Sequence, residues 1–303
     1  MKTAYLILTH DNPKHFHRLT NALSSMSSTC FVHVDKKTSI RDYDNGATSS
    51  VYFLQERVKV YRGHFSHIVA ILLMIEKALE HPNRYGRFVL ISGTDYPLRS
   101  QEYIRRFFEE NPKTEFMNIT KMPNNSVGKP LSRLYGYNPT PTRPRFYLEI
   151  IIRAILKRLH IIPRTRDYQK ALGELVPYAG DEWWALTRGA CEYIHNFVDK
   201  NPKLLNFYKH TRVPDEMFFQ TILGNSPFMH NIARNVTYTD WSDRTGSPAW
   251  ITEEHLKAYR TKMLYADDTF GKGELLFARK FRDESEDIVK KINEYIAENQ
   301  NAE

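Results

Sequence analysis

The sequence has few cysteines and no long apolar run. Cys30 and Cys191 are too few for a disulfide framework in a chain of 303 residues, and they lack the spacing of a metal site. The apolar run within residues 1–10 is too short for a signal peptide or a membrane anchor and is typical of a buried first strand. We therefore expect a protein of a reducing cytoplasm that has no membrane span.

Nucleotide-binding and zinc-binding motifs of the common kinds are also missing. The sequence has no GxGxxG after a strand and no GxxxxGK[ST], which counts against dinucleotide enzymes and P-loop hydrolases. It has no HExxH or CxxC zinc signature. The acid pairs that could hold a divalent cation are Asp42 with Asp44, Asp240 with Asp243, and Asp267 with Asp268. A solvated turn explains the first pair better than a metal site, because it lies among Gly and Asn residues.

What is present is the composition of a globular protein with excess positive charge. Hydrophobic residues make up 41% of the chain and charged residues 26%, which suits a large α/β core. Lysine and arginine number 43 against 35 aspartates and glutamates, a net charge of +8. This charge favours an anionic partner, which could be nucleic acid, a phosphorylated metabolite or an acidic membrane surface.

Short apolar runs alternate with helical patterns through the first 120 residues. The pattern predicts strands at residues 5–8, 30–34, 51–54 and 87–92, and helices at residues 13–26, 66–79 and 101–110. This alternation predicts an α/β fold with a mostly parallel central sheet and helices on both faces. Ligands bind at the carboxyl ends of such strands. Those ends carry Thr9-His10-Asp11, His33-Val34-Asp35 and Ser92-Gly93-Thr94-Asp95.

The second part of the chain begins with a predicted long loop at residues 121–145, which is rich in Pro, Asn and Arg. A helix is predicted at residues 146–162. Within residues 143–166, Glu149 is opposed by Arg143, Arg145, Arg153, Lys157, Arg158, Arg164 and Arg166, so the net charge is 7 − 1 = +6. One interpretation is a core-packing helix with a solvated basic face, and the other is docking to anionic lipid headgroups.

Two adjacent cations, Arg279 and Lys280, lie between apolar flanks in residues 275–281. The pair is suited to binding a pyrophosphate, because the planar Arg guanidinium can donate two hydrogen bonds at once and the Lys ammonium is a compact positive charge. A surface strand end with snorkelling basic side chains is the alternative. The strand end at residues 92–95 offers one acid where a metal site needs two, so these cations would replace a metal at a bound pyrophosphate.

Two acidic segments could carry further chemistry. Residues 181–184 read Asp-Glu-Trp-Trp, which could line a carbohydrate site or enter a Trp-filled core. Residues 214–216 read Pro-Asp-Glu at the start of a predicted helix. Complementarity with the helix dipole explains two acids there, and the alternative is that Glu216 faces a cleft as a general base.

The order of several segments is more informative than any one of them. In chain order they are VYRGHFS (60–66), LISGTDYPLRS (90–100), EWW (182–184), PDEMFFQTILGNSP (214–227), DW (240–241) and FARKF (277–281). Together they resemble the core-2/I-branching β-1,6-N-acetylglucosaminyltransferase family, which includes the peptide O-xylosyltransferases. The resemblance implies a GT-A-like fold in one domain, 1–303, with a nucleotide-binding half at 1–120 and an acceptor and catalytic half at 121–303.

The resemblance also implies roles for individual residues. Glu216 matches the catalytic base of the family's Pro-(Asp/Ala)-Glu motif, and Arg279 and Lys280 match the basic residues that hold the donor diphosphate. Glu182 and Trp183 match a pair on the donor and acceptor side. The other matched donor contacts are Asp35 at the nucleoside, Thr9, Tyr61 and Arg62 near the uridine, and Ser247 near the diphosphate.

Three features depart from the family pattern. Arg62 stands where many relatives have Trp before the Gly, and Glu182 is one methylene longer than the Asp of the xylosyltransferases. The animal relatives are membrane-anchored enzymes of the secretory pathway with several disulfides, and the sequence shows neither feature. We expect a bacterial member of the family, in the cytoplasm or peripherally at the inner face of the plasma membrane.

The implied activity is that of an inverting, metal-independent glycosyltransferase that needs no cofactor. It would move a sugar from a UDP-α-sugar to a hydroxyl of a glycan or lipid-linked glycan acceptor, giving a β-linkage. N-acetylglucosamine is the first expected donor sugar, and xylose is the alternative. A binding module without catalysis, for polyanionic glycan or nucleic acid, is the rival from another class. We expect no nucleic acid partner, because the basic residues are not interleaved with aromatics in an RNA-binding pattern.

Overall fold

The computed structural model describes residues 1–138, 145–161, 165–242 and 246–300. The strands there are β1 (Thr3–Thr9), β2 (Ser28–Val34), β3 (Val51–Phe53), β4 (Arg87–Ser92), β5 (Asp95–Pro97), β6 (Glu115–Met117), β7 (Thr120–Lys121), β8 (Tyr178–Ala179), β9 (Trp184–Thr187), β10 (Ile232–Ala233), β11 (Thr237–Thr239), β12 (Tyr265–Asp268), β13 (Gly271–Glu274) and β14 (Phe277–Arg279).

The α-helices of the same residues alternate with the early strands, as the apolar pattern predicted. They are α1 (Pro13–Leu23), α2 (Arg41–Asp44), α3 (Ser66–Glu80), α4 (Gln101–Glu110), α5 (Ser132–Tyr135), α6 (Arg145–Arg158), α7 (Tyr168–Leu172), α8 (Arg188–Lys200), α9 (Pro202–Tyr208), α10 (Phe218–Gly224), α11 (Glu253–Lys257) and α12 (Glu286–Gln300). Shorter 3₁₀ turns cover Asn125–Val127, Pro214–Glu216 and Pro227–Asn231, and a π-helical turn covers Tyr259–Met263. No helix among the described residues is both long enough and apolar enough to cross a membrane.

The central sheet is mostly parallel, as predicted. Within the described residues its strand order is β10-β6-β9-β4-β1-β2-β3. β1 pairs in parallel with β2 and β4, and β2 pairs in parallel with β3. β9 runs antiparallel between β4 and β6. Strands from both halves of the chain therefore lie in one sheet.

Helices cover both faces of this sheet because its strands bury side chains on both sides. Successive side chains of a strand point to opposite faces. In β1, Ala4, Leu6 and Leu8 belong to the core on the side of α3, and Tyr5 and Ile7 belong to the core on the side of α1. All five are buried, which explains why the strand reads as one continuous apolar run.

A smaller sheet carries the two adjacent cations. β14 pairs in parallel with β11 and antiparallel with β5, which places Arg279 opposite Asp95. Phe277 and Ala278 are fully buried, and the Arg279 side chain is only 12% exposed. The alternative of a surface strand end with snorkelling side chains is therefore wrong. Because β5 follows β4 closely, this sheet lies at the carboxyl end of the central strands.

The segment predicted as a long loop at residues 121–145 contains regular structure in its described part. β7 pairs with β8, and a 3₁₀ turn and α5 follow. The Asn124 side chain caps the turn by accepting from the Ser126 N–H at 3.2 Å. Local polar capping of this kind is hard to read from composition alone. It gives Lys129 and Arg133 defined positions.

Candidate active site

Several residues expected at the donor site gather where β1, β2 and β4 end. Thr9 is the last residue of β1, and Asp35 follows β2 directly. Both are buried, and the Asp35 N–H donates to the Thr9 carbonyl at 2.9 Å. Gly93, the residue after β4, lies so close to Thr9 that a Cβ on Gly93 would collide with the Thr9 side chain. The strand ends thus form a tightly packed edge at which a ligand can lie.

Lys37 joins Asp35 to the turn that contains Tyr61. Its backbone N–H donates to Asp35 Oδ1 at 2.8 Å, and its ammonium lies 3.2 Å from Oδ2. The same ammonium is 4.7 Å from the centre of the Tyr61 ring. A carboxylate and an aromatic ring are thus held side by side, which suits a nucleoside. The neighbouring Arg62 guanidinium donates to the Gly246 carbonyl, so this turn also contacts the loop that carries Ser247.

Lys280 contacts Ser247, another residue expected at the diphosphate. The Lys280 ammonium donates to Ser247 Oγ at 2.7 Å and lies 4.2 Å from the centre of the Trp250 ring. A cation over an indole face is held by the ring quadrupole without being neutralised. The sequence suggested no role for Trp250. The arrangement keeps a positive charge beside a hydroxyl, and both groups can bind a phosphate oxygen.

Arg279 lies between a buried carboxylate and an indole. Its Nε is 3.5 Å from Asp95 Oδ1, and its guanidinium carbon is 4.0 Å from the centre of the Trp183 ring. Asp95 is fully buried, and this burial raises the pKa of its carboxyl to about 6 against the opposing effect of Arg279. The adjacent cations therefore have different surroundings. Trp183, which was expected to line a carbohydrate site, supports Arg279 directly.

His67 links two acids of different segments. Its Nδ1 is 3.4 Å from Glu182 Oε1 and 3.8 Å from Asp215 Oδ2. Burial lowers the pKa of the imidazole, but the two carboxylates outweigh burial and raise it to about 9. Burial raises the pKa of the Glu182 carboxyl, and His67 opposes that shift. The two acids therefore favour a proton on His67.

Ligand atoms of His67, Glu182 and Asp215 lie within 4.8 Å of one another, so these residues could also hold a metal ion. A metal ligand must be deprotonated, so an ion there would have to displace the His67 proton. The expectation that no metal is required stays a prediction.

Three of the acids that the sequence offered for a metal have other side-chain or backbone partners. Asp267 pairs with Lys272, and Asp268 pairs with Arg234. Asp240 accepts from the Ser242 N–H and lies 3.0 Å from the His255 ring. Asp42 and Asp44 lie in the single turn of α2 rather than in an irregular turn. Asp243 lies outside the described residues.

Glu216 is the last residue of the 3₁₀ turn that precedes α10. Its Oε2 is 2.6 Å from the Lys129 ammonium and 2.5 Å from Arg133 Nη1. Its backbone carbonyl accepts from the Gly180 N–H at 2.9 Å, which ties the turn to the segment before Glu182. Complementarity with a helix dipole does not account for these side-chain contacts. Two cations fix the orientation of the carboxylate, and the role of Glu216 as a general base stays a prediction.

A cavity of about 480 Å³ adjoins Arg133, one of the two cations that contact Glu216, although Glu216 itself is not among its described lining residues. Its lining includes Arg133, whose guanidinium contacts the Glu216 carboxylate, as well as Tyr137 and Arg212. This volume is in the range of pockets that bind small ligands. Among the described lining residues there are two arginines and no acid. The cavity is therefore suited to an electron-rich ligand such as a glycan with anionic groups.

Side-chain contacts and chain neighbours together link the segment of Glu216 to Arg279. Asp215 precedes Glu216 and shares His67 with Glu182, and Glu182 precedes Trp183, which lies under Arg279. Sequence reasoning missed His67, Lys129 and Arg133. The only available signals were the position of His67 just after the VYRGHFS segment and the cations in the loop before the acidic segments.

Because the pKa of His67 is raised in the folded protein, we predict that the free energy of unfolding depends on pH. A group whose pKa is higher in the folded state stabilises it below the unfolded pKa, and this stabilisation is lost as the pH rises through the folded value. The free energy of unfolding should therefore fall between pH 7 and pH 9, by on the order of 2 kcal/mol. Urea denaturation at the two pH values measures this loss.

Glu182→Gln is the matched variant for this experiment, because it removes one of the two carboxylates that raise the pKa of His67. Its loss of stability over the same interval should be smaller. Histidine ring resonances followed by NMR should show the His67 pKa moving down in the variant. A wild-type stability that stays constant from pH 7 to pH 9 would mean that folded His67 is neutral.

Comparisons with known proteins agree with the family expected from the sequence. Residues 3–264 match the family model for the core-2/I-branching enzymes. Dog (Canis lupus familiaris) xylosyltransferase 2 is 27% identical over 265 residues, which cover 81% of this chain and 27% of the relative. Mouse (Mus musculus) xylosyltransferase 1 is 23% identical over 261 residues, which cover 81% of this chain and 25% of the relative. The chain thus spans about a quarter of the length of these relatives.

Among solved structures, apo mouse xyloside xylosyltransferase 1 is similar with a TM-score of 0.36 and 9% identity, over 91% of this chain and 97% of the other. The family match takes in Thr9, Glu216 and Ser247 and ends before Arg279 and Lys280. The mixed sheet with helices on both faces agrees with the GT-A-like fold that the resemblance implies. Because the match extends over most of its residues, the chain belongs to the core-2/I-branching enzyme family.

Proposed function

We propose that this glycosyltransferase moves a sugar from a UDP-α-sugar to a hydroxyl of a glycan acceptor, with inversion of the anomeric centre. The observation that carries the proposal is the link between the segments of Glu216 and Arg279, made by the contacts of His67 with Asp215 and Glu182 and of Trp183 with Arg279. It joins a carboxylate oriented by two cations to a pair of cations suited to a diphosphate. A base at one end and a leaving-group site at the other are the parts that a single displacement needs.

In the proposed reaction, Glu216 takes the proton of the acceptor hydroxyl while that oxygen bonds to the anomeric carbon. The bond from this carbon to the diphosphate oxygen breaks, and UDP leaves with the electron pair. Arg279 and Lys280 stabilise the negative charge that develops on UDP. Lys129 and Arg133 hold Oε2 of the base, so Oε1 would receive the proton. Attack opposite to the leaving group converts an α-linked donor into a β-linked product.

The donor sugar is proposed to be xylose. The sequence favoured N-acetylglucosamine first, but the named curated relatives are xylosyltransferases, which supports the alternative. Glu182 belongs to the proposed sugar site, next to the indole that supports Arg279. Positive charge from Arg279 and Lys280 would take the place of a metal ion. The acceptor is proposed to be a glycan or a lipid-linked glycan in the cavity that adjoins Arg133.

The proposed donor site draws on both parts of the chain. Thr9, Asp35 and the Tyr61 turn come from the nucleotide-binding half, and Arg279 and Lys280 come from the other half. The proposed acceptor site, with Glu216, Lys129 and Arg133, belongs to the second half alone. Donor binding should therefore protect backbone amides in both halves from hydrogen exchange. Acceptor binding should protect amides in the second half.

A panel of UDP-sugars tests the function and the donor together. We expect UDP-xylose, in EDTA, to raise the melting temperature of the protein, because a ligand that binds only the folded state stabilises it. We also expect slow hydrolysis of UDP-xylose to UDP. UDP-N-acetylglucosamine should come second. A preference for UDP-glucose or UDP-galactose would overturn the donor assignment. Salt-sensitive binding of polyanions without any response to UDP-sugars would favour the binding module instead.

A further inference from the structure

Helix α6, together with Leu159 directly after it, carries an exposed apolar stripe. Leu148, Ile151, Ile152, Ile155 and Leu159 follow the spacing i, i+3, i+4, i+7 and i+11, which puts them on one side of a helix. Their side chains are between 45% and 61% exposed. Soluble proteins rarely leave a contiguous stripe of large aliphatic side chains in water. Such a surface is typical of a binding site.

Another side of α6 rests on the protein. The Arg153 guanidinium lies 3.3 Å from the centre of the Tyr137 ring, and Tyr137 stacks on His210 at 4.5 Å. Leu156 and Lys157 are half-buried on the same side. The helix ends at Arg158, and two residues later His160 has a left-handed backbone with a φ of 57°. These contacts hold the helix by one side and leave the stripe facing outward.

Positive charge flanks the stripe. Arg158 is exposed, and it lies at the edge of the stripe because it follows Ile151 by seven residues. Long basic side chains at such an edge can reach anionic headgroups while the aliphatic groups enter the bilayer. Arg166, which the sequence counted in the same basic segment, is used inside the protein, where it donates to the His210 carbonyl at 2.7 Å. Arg143 and Arg164 lie outside the described residues.

The stripe is coupled in space to the cavity that adjoins Arg133. Tyr137, which supports Arg153 of α6, also lines that cavity, and so does Arg133, which contacts Glu216. Arg212 adds a second positive charge to the lining. A surface that held α6 would therefore lie close to the proposed acceptor site.

We propose that α6 docks the protein on an anionic lipid bilayer, with the five aliphatic side chains inserted at the headgroup boundary. Charge complementarity favours a bilayer over a second copy of the chain, because a net charge of +8 and a basic stripe edge oppose self-association. Docking brings the acceptor cavity to the membrane surface. That the acceptor is lipid-linked rests on the proposed function, whereas the docking itself does not.

Sedimentation with vesicles tests the docking without any sugar donor. The full chain should sediment with vesicles that contain phosphatidylglycerol and much less with pure phosphatidylcholine, and added salt should weaken the binding. Replacing Ile151 and Ile155 together by Glu should lower the affinity at least about tenfold, because the charges would enter the apolar layer. Met26→Glu is the matched control, since Met26 is a fully exposed apolar residue outside α6, and it should bind as wild type does.

Hydrogen exchange gives a second measurement that needs no variant. Amides of residues 148–161 should exchange more slowly when anionic vesicles are added. Absence of vesicle binding would overturn the proposal, and so would equal binding by the double variant. A wild-type dimer in the absence of lipid that the double variant abolishes would show that a second copy covers the stripe. UDP-sugar stabilisation, measured on the same samples, reports separately on the proposed function.

Discussion

Glu216→Gln is expected to reduce sugar transfer by about 10³-fold, within the range that a positioned general base contributes. The amide has nearly the same shape as the carboxylate but cannot take the proton of the acceptor hydroxyl. Affinity for UDP should stay within about twofold of wild type, because the proposed diphosphate contacts belong to Arg279 and Lys280. Single-turnover transfer assays and calorimetry with UDP measure the two quantities.

The matched control for this variant is Glu174→Gln, since Glu174 is exposed and lies outside the proposed site. It should leave both quantities unchanged. Replacing Glu216 also removes an ion pair with Lys129 and Arg133, so the melting temperature of each variant must be compared with wild type. A Glu216→Gln variant that folds and transfers sugar normally would remove the residue from the proposed chemistry. Loss of UDP binding together with transfer would indicate a structural role.

Lys280→Ala is expected to weaken UDP binding by about 10- to 100-fold, the worth of one hydrogen-bonded charge on a diphosphate oxygen. Transfer should fall at least as much, because the same charge stabilises the departing UDP. Lys280 is preferred to Arg279 for this test. Arg279 pairs with the fully buried Asp95, so its removal would strand a buried carboxylate and destabilise the fold.

Lys203→Ala serves as the control for net charge, because Lys203 is exposed and lies in α9. It lowers the charge by the same amount and should leave UDP affinity unchanged. Calorimetric titration of UDP in EDTA separates the local contact from the overall field. If Lys280→Ala binds UDP as tightly as wild type, the diphosphate does not lie at this cation.

The architecture could be predicted from the sequence because its strongest signals are local. The apolar run of β1 and the helical period of α3 each reflect which side chains a single element buries. The division at Met217 could not be predicted in this way. Its φ of −139° separates the 3₁₀ turn from α10, whereas the Pro-Asp-Glu start was read as one helix. That break leaves the Glu216 carboxylate beside cations from a distant segment.

Residues of the candidate site could be predicted from the sequence only where they lie in a recognisable motif. The local sequence pattern made Glu216, Arg279 and Lys280 candidates and the resemblance gave them roles, but neither revealed their partners. Lys129 and Arg133 are more than 80 residues from Glu216 in the sequence. Ion pairs between such distant positions produce no periodic pattern that a sequence could show. His67 lies in the first turn of a helix that reads as core, so only its contacts with two acids reveal it.

The anomeric form of the sugar first released from the donor distinguishes a single displacement from a reaction with retention. Wild-type enzyme with the preferred UDP-α-sugar and no acceptor should transfer the sugar to water, and proton NMR can follow the product before it mutarotates. A single displacement with Glu216 as the base predicts that the β-anomer forms first. First formation of the α-anomer would contradict the account, because it would require retention and a different role for Glu216.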